Sequence, residues 1–174
     1  VLFRSSLDAR AEQNFFNLLA VPGYTECLQE MITLNVDKNE VAFLVVDPPA
    51  KLAANGTDIV NWANNANNAP DNGPAALISS TPYAGVYYPW GLGSDLNGQS
   101  VFVPPSLMAL RTIAFNDQVA YPWFAPAGFN RGLVTGVGSV GYLDSAGDYV
   151  PVTLSQGQRD VLYTNRINPI AYIP

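Results

Sequence analysis

The chain has 174 residues, of which 48% are hydrophobic and only 13% charged, with a net charge of −6 and no histidine. That length suits one domain with a sizeable core, while a charged fraction about half the usual ~25% points to surface intended for burial against a partner. The negative balance leaves no basic patch to neutralise phosphates, which excludes nucleic acid. The lack of histidine excludes Ser-His-Asp and Cys-His catalysis and His-based zinc sites.

No apolar run reaches the ~18 residues needed to span a bilayer, so no direct membrane insertion is expected. The lone Cys27 cannot form an internal disulfide and reads as a small apolar helix residue. The start, Val1-Leu2-Phe3-Arg4, has no signal-peptide layout and reads as the interior of a longer chain. The Asn55-Gly56-Thr57 sequon carries little weight without a sign of secretion.

In chain order, Ser6 to Gln13 reads as a short helix with an early acid. Phe16 to Val21 reads as a buried strand stopped by Pro22-Gly23. Thr25 is placed to cap a helix reaching about Leu34, with Leu28, Met31 and Ile32 on one face. Val41 to Val46 is a second β-branched run, closed by Asp47-Pro48-Pro49. Strand, helix and strand in this order predict a βαβ unit with parallel, neighbouring strands.

A helix is expected from Asp58 to about Asn65, with Ile59 and Trp62 on its inner face. Residues 64–74, rich in Asn, Gly and Pro, read as an exposed loop. Ala84 to Trp90 reads as a strand with Ser100 to Val103 as its hairpin partner, joined through Asn97-Gly98. Pro104-Pro105-Ser106 opens a helix to about Phe115 whose apolar positions are Leu107, Leu110, Ile113 and Ala114. Tyr121 to Gly132 combines Pro, Gly and aromatics and reads as an ordered loop. Gly141 to Val152 reads as a hairpin turning at Ser145 to Asp148. Ser155 and Gln158 form a capping box for a last helix to about Tyr163, and Ile170 to Ile173 reads as a final strand. The fold class is α/β, a mixed sheet with a βαβ start, flanking helices and at least one antiparallel hairpin, in a single domain over 1–174.

Gly136-Val137-Gly138-Ser139-Val140-Gly141 matches GxGxxG, but a dinucleotide site needs a helix directly after the glycines, and here a turn follows. The motif therefore reads as a bulged strand. The acids Asp37, Glu40, Asp47, Asp58, Asp71, Asp95, Asp117, Asp144, Asp148 and Asp160 mostly sit in predicted turns or near helix ends, where cap and turn roles account for them. No cofactor, metal or catalytic set is expected. Tyr83, Tyr87, Tyr88, Trp90, Tyr121, Trp123 and Phe124 form a candidate aromatic cluster, suited to core packing or a protein interface and, as a different class, to sugar binding. Arg131, after Asn130 in the aromatic loop, is expected to pair with a carboxylate or carbonyl, either within the domain or across an interface. Trp90, Trp123, Phe124, Asn130 and Arg131 are thus the candidate structural or interface residues.

Several stretches, in order and spread over most of the chain, resemble the contractile tail sheath protein of T4-like bacteriophages. They include residues 18–23 (LLAVPG), 43–49 (FLVVDPP), 88–90 (YPW), 101–106 (VFVPPS), 154–160 (LSQGQRD) and 166–170 (RINPI). The most specific is PWFAPAGFNRG over 122–132. The resemblance implies the middle α/β domain of a longer structural subunit that stacks as hexameric rings around a tail tube and contracts to drive it through the host envelope. It implies no ATP and no enzyme activity. The implied partners are further copies of the subunit, with tail tube and baseplate proteins reached through parts of the subunit not present here. The implied location is the virion tail sheath, assembled in the host cytoplasm. A bacterial contractile injection system or bacteriocin sheath is the nearest alternative, and a carbohydrate-binding module is an alternative of a different class.

Overall fold

A computed structural model of the chain describes residues 11, 13–54, 57–64 and 81–173. The expected helix at Ser6 to Gln13, the sequon and the 64–74 loop lie outside these residues, apart from Ala11, Gln13, Thr57 and Asn64. Asn64 is exposed, and its Nδ2 donates to Asn165 Oδ1 at 2.7 Å.

Among the described residues two four-stranded sheets make up the fold, which is α/β as the sequence predicts. The first is wholly parallel, in the order β1 (Leu18–Leu19), β2 (Phe43–Val46), β3 (Ala84–Tyr88) and β8 (Ile167–Pro169). The second is antiparallel, in the order β5 (Ser100–Val103), β4 (Trp90–Ser94), β6 (Ser139–Leu143) and β7 (Tyr149–Pro151). The helices are α1 (Leu28–Asp37), α2 (Asp58–Ala63), α3 (Pro105–Val119), α4 (Gly128–Arg131) and α5 (Gln156–Thr164).

The β1–α1–β2 unit forms with the parallel, neighbouring strands predicted, Leu18 opposite Phe43 and Leu19 opposite Leu44. The first strand is only these two residues, however, and is not buried, with Leu18 36% exposed and Leu19 half-buried. Thr25 does not cap α1. It begins a 3-10 turn over Thr25–Cys27, and the helix runs past Leu34 to Asp37. The end of α1 is tied to the start of β2 through buried Asn35, whose amide donates to the Ala42 carbonyl and accepts from its N–H. A buried amide satisfied on both sides fixes the register of this corner without leaving a polar atom unpaired.

One face of the parallel sheet carries the main core. Leu44, Val46, Val86, Tyr88 and Ile167 pack there with Leu28 and Met31 of α1, Ile59 and Trp62 of α2, and Leu162 of α5. Each fully buried aliphatic contributes about 1.5–3 kcal/mol. Val45 alternates to the opposite face, against which α3 packs through β2 and β3.

Three expectations change. The run 84–90 is two strands, not one: β3 belongs to the parallel sheet, and after Pro89 the chain enters the antiparallel sheet as β4. Proline has no N–H to continue a ladder, and the hairpin partner of β5 is therefore Trp90–Ser94, turning through Asp95 to Gln99. α3 is also longer than expected and turned the other way. Met108, Ala109, Thr112 and Asn116 face inward, while Leu107 is 47% and Phe115 45% exposed. Of the inward polar groups, Thr112 is satisfied, its Oγ1 donating to the Met108 carbonyl, and Asn116 only in part: its Nδ2 donates to the Phe124 carbonyl, while its buried Oδ1 has no hydrogen-bond partner. Finally, the last strand is Ile167–Pro169, earlier than Ile170 to Ile173, because the side chain that fills the core is Ile167. The capping box is present as predicted: Ser155 Oγ accepts from Gln158 N and Gln158 Oε1 from Ser155 N. The hairpin of β6 and β7 also forms as predicted.

Candidate functional site

The loop that follows α3 gathers the most exposed aromatic surface. Ala120 leaves the helix in an extended conformation, and Pro122 and Pro126 keep the chain from resuming it. The loop is nevertheless ordered, as its composition predicts. Phe124 N–H donates to the Tyr121 carbonyl at 2.9 Å, the Asn116 amide holds the Phe124 carbonyl at 3.0 Å, and α4 packs back on α3. Tyr121 and Trp123 stack with ring centroids 4.7 Å apart and planes 5° from parallel. Trp123 and Phe129 are each 75% exposed. Rigid aromatics presented to water in this manner resemble the anchors that dominate protein interfaces, because little side-chain entropy remains to be lost on docking.

Arg131 departs from its expected pairing. Its guanidinium lies over the Phe124 ring, 4.8 Å from the centroid, and its buried Nε has no hydrogen-bond partner. Within the chain, a cation–π contact stands where the carboxylate or carbonyl was expected. Asn130 is exposed on α4. Four of the five candidate residues, Trp123, Phe124, Asn130 and Arg131, thus share one loop.

Trp90 does not join them. It is buried, stacks on Phe102 at 4.8 Å with planes 8° apart, and donates through Nε1 to the Pro48 carbonyl at 3.0 Å. Tyr88 is buried beside it in sequence and donates to the Leu52 carbonyl at 2.8 Å, burial holding its phenol well above the usual range. Tyr83 is 44% exposed before β3, and Tyr87 is half-buried, its phenol also pushed up by burial. The seven aromatics therefore divide between core and surface, and no single sugar-stacking platform contains them. Sequence reasoning missed Phe129, Leu133, Leu107 and Val119 as surface; the density of aromatics around Pro and Gly was the available signal.

Asp47, at the end of β2, has the cap role expected of such acids, but for a helix far along the chain. Its carboxylate accepts from Ser106 N–H at 2.6 Å, Ser106 Oγ at 2.7 Å and Gly23 N–H at 2.9 Å. It thereby caps α3, whose own Pro104 offers no side-chain cap. Burial raises its pKa, and the three donors only partly offset that rise.

The GxGxxG glycines lead into strand β6 and not a helix. Gly136 adopts φ +87°, where Arg111 lies against it, and Gly141 sits so close to the Val150 carbonyl and the Tyr149 ring that a side chain has no room. The open cleft beside them is lined by Leu92, Gly93, Ser94, Ser100 and residues 136–139, none of them ionisable, so it offers no acid, base or nucleophile beyond serine hydroxyls. Among the described residues no three His, Cys, Asp or Glu side chains converge, and no helix is long and apolar enough to cross a membrane. Cys27, expected on a helix, lies in the 3-10 turn before α1, partly buried and unpaired.

No protein-family profile matches the chain. It is 34% identical over 146 residues to the tail sheath protein of Vibrio phage KVP40, an alignment covering 78% of this chain. The chain is a relative of the tail sheath proteins of T4-like bacteriophages. The tail sheath protein of Enterobacteria phage T4 is 32% identical over 117 residues, covering 65% of the chain. The chain spans about a fifth or less of these relatives' length, 20% of the first and 15% of the second. Both alignments are long enough to include most of a domain, in keeping with the ordered series of motifs along it.

Proposed function

We propose that this chain is part of the structural subunit of a contractile phage tail sheath. The observation that carries the reading is the 34% identity to a tail sheath protein over 78% of the chain. Its surface supports the same reading. With 13% charged residues, and with Trp123, Phe129, Tyr121 and Leu133 each at least 61% exposed, the domain is suited to burial in an assembly. In this reading the chain is the middle α/β domain of a longer subunit, at the outer or middle radius of a sheath built from stacked hexameric rings. Contraction drives the tail tube through the host envelope, and the work comes from energy stored at assembly, with no catalysis by this domain. Such a lattice switches by rigid-body motion of subunits across repacking interfaces. Tube and baseplate contacts belong to other parts of the polypeptide, and the location is the virion tail, assembled in the host cytoplasm.

Immunogold electron microscopy of the source's particles, with antibody against this domain, tests the proposal. Label along the whole tail, spaced differently on contracted particles, supports it. Label confined to baseplate or fibres, or sheath-bearing particles whose sheath lacks this chain by mass spectrometry, overturns it.

A further inference from the structure

From α3 through the aromatic loop the chain presents apolar side chains that no described residue covers. Leu107, Phe115 and Val119 stand out from α3, and Trp123, Phe129 and Leu133 follow, each at least 45% exposed. Only Arg111, Asp117 and Arg131 carry charge between residues 107 and 133. A surface so apolar and so poor in charge makes a free polypeptide aggregate, so it has to be covered before any assembly begins. Arg131 is a second sign of a missing neighbour: its guanidinium is held over Phe124, and its buried Nε lacks an acceptor.

The parallel sheet sets the side from which that cover comes. Asp47, at the carboxyl end of β2, caps the start of α3, which packs back across β2 and β3. The 15 residues of α3 extend about 22 Å, and the 4 residues of β2 only roughly 13 Å. The aromatic loop therefore emerges at the edge where the parallel strands begin. The chain enters the sheet at that same edge through β1, past exposed Phe15 and Leu18. It leaves at the opposite edge, because Pro169 of β8 lies beside Tyr88 at the carboxyl end of β3. The chain aligns with only 20% of the length of its relative from phage KVP40, so a longer subunit has ample polypeptide to supply the cover. We infer that a segment of the same polypeptide, preceding Val1, docks on the aromatic loop and the outward side of α3. The contact rests on the reading of the chain as one domain of a longer subunit. The docking segment brings apolar side chains to the Tyr121–Trp123 stack and a carboxylate or carbonyl to the Arg131 guanidinium. Covalent linkage supplies it at a high effective concentration, ahead of any second copy.

The test uses the full polypeptide carrying this domain, unassembled and monomeric, with photo-reactive benzoylphenylalanine in place of Phe129, whose side chain is exposed. After irradiation and digestion, mass spectrometry is expected to find position 129 cross-linked to residues ahead of Val1. In a second arm the unsubstituted monomer is footprinted by oxidation. Trp123 and Phe129 are expected to lose most of the labelling they take in urea, while Leu96, fully exposed in the turn after β4, keeps its own. Cross-links to residues after Pro174 or to a second copy would overturn the contact, as would no cross-link at all. Labelling of Trp123 and Phe129 in the native monomer equal to that in urea would overturn it too. The two readings fail separately: sheaths that contain the chain while position 129 links elsewhere sink the contact alone. A source polypeptide no longer than these residues sinks both the contact and the longer subunit.

Discussion

Replacing Asp47 by alanine removes the acceptor shared by three donors, and the cost can be worked from their surroundings. Gly23 lies at the surface, so its N–H turns to water at little expense. Ser106 is fully buried, and both its N–H and its hydroxyl lose their partner, at 2.6 and 2.7 Å in the parent. At about 1–3 kcal/mol per orphaned buried donor, the gross loss is roughly 2–6 kcal/mol. Part is returned because a carboxylate is no longer held out of water, leaving a net cost of about 3 kcal/mol. For a chain of this size that lowers the unfolding midpoint by roughly 6–12 °C. Thermal unfolding followed by circular dichroism measures it. Ser106→Ala keeps the backbone bond and costs about 1 kcal/mol, and the double variant falls short of the sum by about 1 kcal/mol because its hydroxyl is no longer stranded. A midpoint unchanged in Asp47→Ala, or strict additivity, would refute the idea that one carboxylate ties β2 to the start of α3.

The same carboxylate gives a pH signature. Its pKa is raised in the folded state, chiefly by burial, so its contribution to stability is full below the ordinary carboxylate value and is lost as pH rises through the raised value. The deficit of Asp47→Asn against the parent should therefore shrink as pH rises from about 4 toward 7; a growing deficit would mean the three donors outweigh burial. Trp90→Phe keeps the stack on Phe102 but strands the Pro48 carbonyl, a loss of about 1–2 kcal/mol in denaturant unfolding, and Trp90→Ala rises to about 3–5 kcal/mol. Gly141→Ala drives a methyl into the Val150 carbonyl and the Tyr149 ring. Amides of β7 should lose hydrogen-exchange protection in that variant, and protection equal to the parent's would show that the strands can part without cost.

What the sequence reveals and conceals divides along the reach of each interaction. The β1–α1–β2 unit, the turn at Asn97-Gly98 and the Ser155–Gln158 capping box are set by neighbours within a few residues, and each is legible. The passage from β3 to β4 is concealed, since Tyr88 and Trp90 are both buried aromatics in one run and only their distant partners, β2 and β8 for one and β5 and β6 for the other, separate them. The facing of α3 is concealed for another reason. Thr112 and Asn116 look like surface residues until backbone carbonyls are supplied to them, and with those two turned inward Leu107 and Phe115 must turn out. The aromatic loop was legible as a cluster around Trp123 and Phe124, whereas the inclusion of Trp90 and the pairing of Arg131 depended on tertiary placement.

The junction between the two sheets has a mechanical consequence. Tyr88 and Trp90 flank Pro89, and their side chains grip the Leu52 and Pro48 carbonyls, two points on one short connection. Asp47, one residue before that connection, grips α3. A pull on the antiparallel sheet is therefore passed to the parallel sheet through a covalent step of one residue, with buried bonds in parallel to it, and no slack segment lies between. Among the described residues the two sheets are thus tied at this junction by backbone and side-chain bonds acting together, so a load applied to one sheet reaches the other there without first stretching a loop.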